Sequence, residues 1–201
     1  KLGTDTIFVI EADEYDSAFF DKRSKFIHYS PSNLIINNIE FDHADIFNDI
    51  EDIKRQFHHL IKIIPTSGNI IFFNNDVNTS EVLNRESWCK KIAIDSGDIK
   101  IDFESKSLKI ANEEFSLEEL PLIGEHNFRN YVSAILAAQI EGVSINASIN
   151  SLKKFKGVKR RMDFIIESSN IPSETGWGTQ SSKYALQISH FSPKSSSNKR
   201  A

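Results

Sequence analysis

The sequence predicts an α/β fold, a mostly parallel sheet flanked by helices, with a small antiparallel β insert. Three observations carry that expectation. Short apolar runs at 7–10, 34–39, 70–73 and 91–94 recur with polar or helical text between them, each giving way to acidic or amide residues. Between the second and third runs, Ile50, Ile53, Phe57, Leu60, Ile61 and Ile64 fall at helical spacing on one face. Strands separated by such helices belong to parallel crossovers. Finally, Ile99 to Phe103 and Leu108 to Ile110 alternate apolar and polar residues, the pattern of strands with one face in water.

Taken in order, Ile7 to Ile10 reads as a buried strand opening onto Glu11, Asp13, Glu14 and Asp16. A second strand over 34–39 opens onto Glu40, Asp42, His43 and Asp45. Asp49 to Ile64 is a helix, ended by Pro65 and Gly68. Residues 78–86 form a shorter helix with Asn78 or Thr79 as its cap. The antiparallel insert occupies 99–116. A long helix follows Gly124 with Val132, Ile135, Leu136 and Ile140 as its buried stripe, and Gly142 stops it. Another spans 146–155, and Gly157 precedes the basic cluster Lys159, Arg160 and Arg161. Past Ile165 and Ile166 the text turns rich in Ser, Asn and Lys, the composition of a linker or a disordered segment.

Bulk properties narrow the function. A formal charge of -4 over 201 residues provides no basic field for nucleic acid or an anionic membrane surface. No apolar run approaches a membrane span. The single cysteine, Cys89, excludes an internal disulfide, reads as a packed thiol and fits a reducing cytoplasm. The chain opens on Lys1 rather than Met, shortly before a strand, which reads as a fragment.

Two strands that each end in carboxylates, one with a histidine, put charged groups along one rim of a sheet. Ligands of open α/β sheets bind at the carboxyl ends of strands, and clustered carboxylates without cysteine suit a hard cation such as Mg²⁺. Each of these acids can also be plain solvated loop. Glu11 stands out because it directly follows its strand. His58 and His59 sit on the 49–64 helix, one exposed and one nearer the rim. Asn127 can cap the long helix, which suffices to explain one Asn; Asn130, one turn on, faces the same side, so the pair could read a base edge or a phosphate. An arginine in the 159–161 cluster suits bidentate phosphate contact. No G-x-x-x-x-G-K-[ST] phosphate loop occurs in the chain.

Four ordered segments resemble the central-domain motifs of the Mur ligases. They are Glu11 to Phe19, Asn38 to Asp45, Gly124 to Asn130 and Gly157 to Asp163, and the likeness covers roughly residues 5–165. Within that family, Tyr15 to Phe26 and Phe41 to Phe47 are most similar to the branch that recycles murein tripeptide. The resemblance implies an ATP-dependent ligase that joins L-alanyl-γ-D-glutamyl-meso-diaminopimelate to UDP-N-acetylmuramate through an acyl phosphate. It implies ATP and Mg²⁺ as cofactors, Glu11 as the Mg²⁺-binding glutamate and His43 near a second metal. It also implies His126, Asn127 and Asn130 at ATP, with the asparagines near the adenine, and Arg161 at a hinge close to the phosphates. On this reading 1–163 is a partial ATP-binding domain and 164–201 a truncated or disturbed start of a C-terminal domain.

Departures from the family pattern are equally plain. The family's G-T-x-G-K-T loop is absent from the chain, so the segment taken alone is expected not to turn over. Phe57-His58-His59 stands where some relatives carry a modified lysine, and Asn170 to Glu174 where an acidic, histidine-containing run is expected. Alternatives are a ligase adding L-alanine to the same sugar nucleotide, a metal-dependent phosphohydrolase built from Asp42, His43, His58 and His59, and a non-catalytic binding module. Oligomeric state is not legible.

Overall fold

The computed structural model describes residues 7–12, 15–18, 21–157 and 186–190. They form two compact units, one running to Asp95 together with the strand near the end of the chain, the other beginning at Ser96.

The first unit is built on a five-stranded sheet. Its strands are β1 (Ile7–Glu11), β4 (Asn33–Ile36), β5 (Asn69–Phe73), β6 (Lys90–Ile94) and β10 (Leu186–His190), in the order β1-β10-β4-β5-β6. The β4-β5 and β5-β6 pairings are parallel, as predicted, whereas β10 pairs antiparallel to both β1 and β4. The segment holding β10 read as linker from its composition, so this strand corrects that expectation. Its five residues are too short and too polar to stand out among serines and lysines.

Parallel strands covered on both faces are apolar at every position rather than alternately. That is the pattern here: all four residues of β4 are buried, as are the last four of β5. Helix α1 (Ile50–Ile63) lays Ile53, Phe57, Leu60 and Ile61 into a core shared with Leu34, Ile36, Ile70 and Phe72. Helix α2 (Val77–Arg85) adds Val82 and Leu83. The two helices are joined to each other by charge: Lys54, itself buried, lies between Glu51 and Glu81, and Arg85 bonds Glu51 at 2.8 Å.

A small hairpin, β2 (Asp16–Ala18) and β3 (Asp21–Ser24), follows β1 and leads into a short 3-10 helix, Lys25–Tyr29. Phe26 of that helix is fully buried and packs its ring against Phe57, centroids 5.4 Å apart. The hairpin was not foreseen from sequence.

The second unit holds the predicted antiparallel insert as three strands, β7 (Ile99–Asp102), β8 (Ser107–Ile110) and β9 (Glu113–Ser116), paired in sequence order. Helix α3 (Glu125–Ile140) and helix α4 (Ile145–Leu152) follow. Phe128, Tyr131, Val132, Ile135 and Leu136 form the buried side of α3, and Gly142 beyond its end has the positive φ of 86° expected of a helix stop.

Candidate functional site

The strand senses put the ends of β1 and β4, with Glu11 on the first, on one rim. Because β10 opposes both its neighbours, β1 runs in the same direction as β4, and Glu11 is level with Leu186 and, through it, with Ile35. Glu11 is exposed at the end of β1, while Ala12 beside it is buried. The connection from Asn37 to Asp49 leaves the same rim at the end of β4.

Two side chains of α2 fix where that connection departs. Asp76, at the N-cap position, accepts a hydrogen bond from the backbone N–H of Ile39 at 2.8 Å and another from the Thr79 hydroxyl. Asn78 donates through Nδ2 to the Ile39 carbonyl at 2.7 Å. Both backbone groups of Ile39 are thus bonded to side chains and not to a neighbouring strand, which is why β4 ends at Ile36 and not at 39 as predicted. The same bonds correct the expected cap: neither Asn78 nor Thr79 occupies that position.

Four residues on, His43 turns the loop with a φ of 56°. Its carbonyl accepts from the N–H groups of Ile46 and Phe47, at 2.9 and 3.0 Å, and its own N–H donates to Asp42 Oδ1 at 2.9 Å. Positive φ in a non-glycine residue is uncommon and concentrates where the surroundings over-determine the backbone, often at functional sites. The imidazole is largely covered, its side chain 14% exposed, with Nε2 3.9 Å from Asp42 Oδ2. Tyr15 meets it edge to face, ring centroids 4.4 Å apart.

Among the described residues no group of three or more His, Cys, Asp or Glu is arranged to hold a metal. They therefore build no closed cage of the kind a structural zinc takes. Mg²⁺ makes a lesser demand, because it retains water and binds through one or two carboxylates plus substrate phosphates. The chemistry of Glu11, exposed at the end of β1 on the rim, fits that demand.

His58 and His59 do not join this rim. His59 is exposed, and His58 is half-buried with its Nδ1 enclosed and without a hydrogen-bond partner among the described residues. Burial, followed by the charges of Lys62 and Arg85, pulls the His58 pKa below its ordinary value. Helix α1 starts near the rim and runs away from it, so His58 ends beside the far end of α2, where Arg85 and Glu86 lie. The expected position nearer the rim is thereby corrected, and the hydrolase arrangement of Asp42, His43, His58 and His59 is not assembled.

In the second unit, Gly124 precedes α3 with a φ of 96°, and the His126 ring folds back over it. A Cβ at 124 would lie 3.2 Å from His126 Cε1. Asn127 is inside the first turn and donates from Nδ2 to the Ile123 carbonyl at 2.8 Å, so it does not occupy the cap position expected of it. His126, Asn127 and Asn130 are all half-buried along this turn. Arg129 bonds Glu125 at 2.9 Å and lies over Phe103, 5.7 Å from its centroid. Arg161, Lys159, Arg160, Asp13 and Glu14 lie outside the described residues. Sequence reasoning missed Asp76, read Asn78 only as a helix cap and gave Tyr15 no role of its own; the polar burst after β5, Asn74 to Asp76, was the available signal.

Fold and rim together define a class: an α/β domain whose parallel strands end on a rim that bears Glu11 and the His43 loop. Residues 3–138 match the family Mur ligase middle domain, and the chain belongs to the Mur ligase family. It is 40% identical over 183 residues to the UDP-N-acetylmuramate–L-alanyl-γ-D-glutamyl-meso-2,6-diaminoheptandioate ligase of Escherichia coli K12, covering 85% of this chain and 38% of that protein. To the UDP-N-acetylmuramate–L-alanine ligase of Pelagibacter ubique it is 32% identical, over 82% of this chain and 37% of the relative. The crystal structure of a UDP-N-acetylmuramate:L-alanyl-γ-D-glutamyl-meso-diaminopimelate ligase from Neisseria meningitides superposes with a TM-score of 0.66 at 35% identity, over 74% of this chain and 48% of that one. The chain thus spans less than half the length of these relatives.

Proposed function

We propose that this chain is the nucleotide-handling part of an ATP-dependent ligase that joins L-alanyl-γ-D-glutamyl-meso-diaminopimelate to UDP-N-acetylmuramate. The observation that carries the reading is the identity of 40% to a ligase of that name, and the family match over residues 3–138 includes Glu11 and His43. In this chemistry the muramyl carboxylate attacks the γ-phosphorus of ATP and ADP leaves. The peptide amine then attacks the acyl carbon, loses its proton, and inorganic phosphate departs as the C–N bond forms. Mg²⁺, when bound, offsets charge on the transferring phosphoryl group. Glu11 would hold the ion at the rim, and His43, on the loop that leaves the same rim with its backbone fixed, would serve a second metal. The turn from His126 to Asn130 takes the nucleotide, the two amides lying toward the base, and Arg161 serves the phosphates.

An L-alanine ligase is the second reading, favoured by the similarity to the Pelagibacter ubique enzyme. Amine competition separates the two. The full-length protein, given UDP-N-acetylmuramate, ATP and an equal mixture of tripeptide and L-alanine, is expected to couple tripeptide. Coupling of L-alanine instead would move it to the other branch. Glu11→Ala is expected to reduce coupling about 100-fold or more, and His58→Ala to leave it near wild type; the reverse ranking would refute the rim assignment.

A further inference from the structure

Tyr15 has no part in the chemistry just described, yet its ring forms one wall of the His43 imidazole, planes inclined at 60° and centroids 4.4 Å apart. The wall is itself braced. The Lys25 N–H donates to the Tyr15 carbonyl at 2.9 Å, and the Lys25 ammonium stands 5.9 Å from the centre of the tyrosine ring. Lys25 opens the 3-10 helix whose next residue, Phe26, is buried against Phe57 of α1. Contacts therefore run without a gap from the core through Phe57, Phe26, Lys25 and Tyr15 to His43. Tyr15 also belongs to the segment that leaves β1 directly after Glu11, so it ties the two acidic connections of the rim to each other.

We propose that Tyr15 is a positioning residue that selects the orientation of the His43 imidazole; its consequence for metal binding rests on the reading of His43 as a metal-site residue. The backbone at His43 is fixed, but its two side-chain torsions are not fixed by the backbone. An aromatic edge-to-face contact prefers one relative geometry, with the electropositive edge of one ring on the face of the other. The hydroxyl takes no part in that preference, so phenylalanine should serve and alanine should not.

The test uses the full-length protein with carbon-13 histidine, the His43 ring signal being assigned by its loss in His43→Ala. Mn²⁺ affinity is read in parallel from water proton relaxation. Tyr15→Phe is expected to keep both the narrow His43 signal and the Mn²⁺ affinity. Tyr15→Ala is expected to shift and broaden that signal and to weaken Mn²⁺ about fivefold, the scale of one aromatic pair. An unchanged His43 signal in Tyr15→Ala, or a Tyr15→Phe variant as impaired as Tyr15→Ala, would overturn the proposal. If His43→Ala itself leaves Mn²⁺ affinity untouched, the metal assignment falls, and the ring signal alone decides Tyr15.

Discussion

Replacing Asp76 by alanine is the most searching test of how the rim is held. One oxygen, Oδ2, accepts from the Ile39 N–H and from the Thr79 hydroxyl, and both donors are out of water: Ile39 is 1% exposed and Thr79 0%. Truncation leaves two enclosed donors unmatched, each costing about 1–3 kcal/mol. The helix start also loses a carboxylate, worth about 0.5 kcal/mol. Relaxation of the connection offsets part of this, so a net loss of about 3 kcal/mol is expected. With a urea dependence of about 2 kcal/mol per molar, the midpoint of unfolding should fall by about 1.5 M. Asp76→Asn keeps an oxygen in place and should lose only about 1 kcal/mol. Urea unfolding followed by circular dichroism measures both, and hydrogen exchange at the Ile39 amide reports whether that bond is the one released. An Asp76→Ala variant within about 0.5 kcal/mol of wild type, or an asparagine variant as unstable as the alanine one, would refute the reasoning.

Two further outcomes follow from packing and charge. Gly68→Ala would place its Cβ 2.3 Å from the Ser32 carbonyl oxygen and 2.8 Å from Ile64 Cγ2, in a turn tied down by bonds from Lys90 N to Gly68 O and from Asn69 N to Ser32 O. It should destabilise by about 2–3 kcal/mol, the opposite sign to the gain of about 0.4–1 kcal/mol at a tolerant glycine, and thermal unfolding reads the sign directly. His58 has a folded pKa below its ordinary value of 6.5, so the unfolded chain takes up the proton first as pH falls. Its contribution to stability is complete above about 6.5 and is lost as pH drops through the lowered folded value; His58→Leu should flatten the pH dependence of the urea midpoint in that window.

The parallel strands and α1 were legible because burial on both faces, or on one helical stripe, writes itself into unbroken or periodic apolar text. Ends were less legible where side chains from elsewhere intervene. Nothing near residue 39 announces that Asp76 and Asn78 will take its backbone groups, and β4 was read three residues too long for that reason. Strand β10 was hidden because a short strand between two partners needs little hydrophobicity of its own. Of the candidate site, the placing of Glu11 and the His43 loop after strands was legible, and the ends of β1 and β4 do lie on one rim. His58 was misjudged because helical periodicity gives the face of a residue but not its height above the rim. Tyr15 entered only as part of the run to Phe26, because a lone aromatic in an acidic loop carries no pattern that marks its contact with His43.

Strand β10 has a consequence for the order in which the molecule comes together. β4, β5 and β6 zip through neighbours close in sequence, and α1 and α2 can condense on them early. Glu11 reaches their level only by way of Leu186, so the first strand waits for a segment from the other end of the described chain. Closing so large a loop is slow and is rewarded only at the end. Among the described strands β1 is made first and is expected to dock last. The acidic rim is then the final part of the sheet to exist, and any nucleotide that engages Glu11 and His43 together is excluded from the half-folded chain.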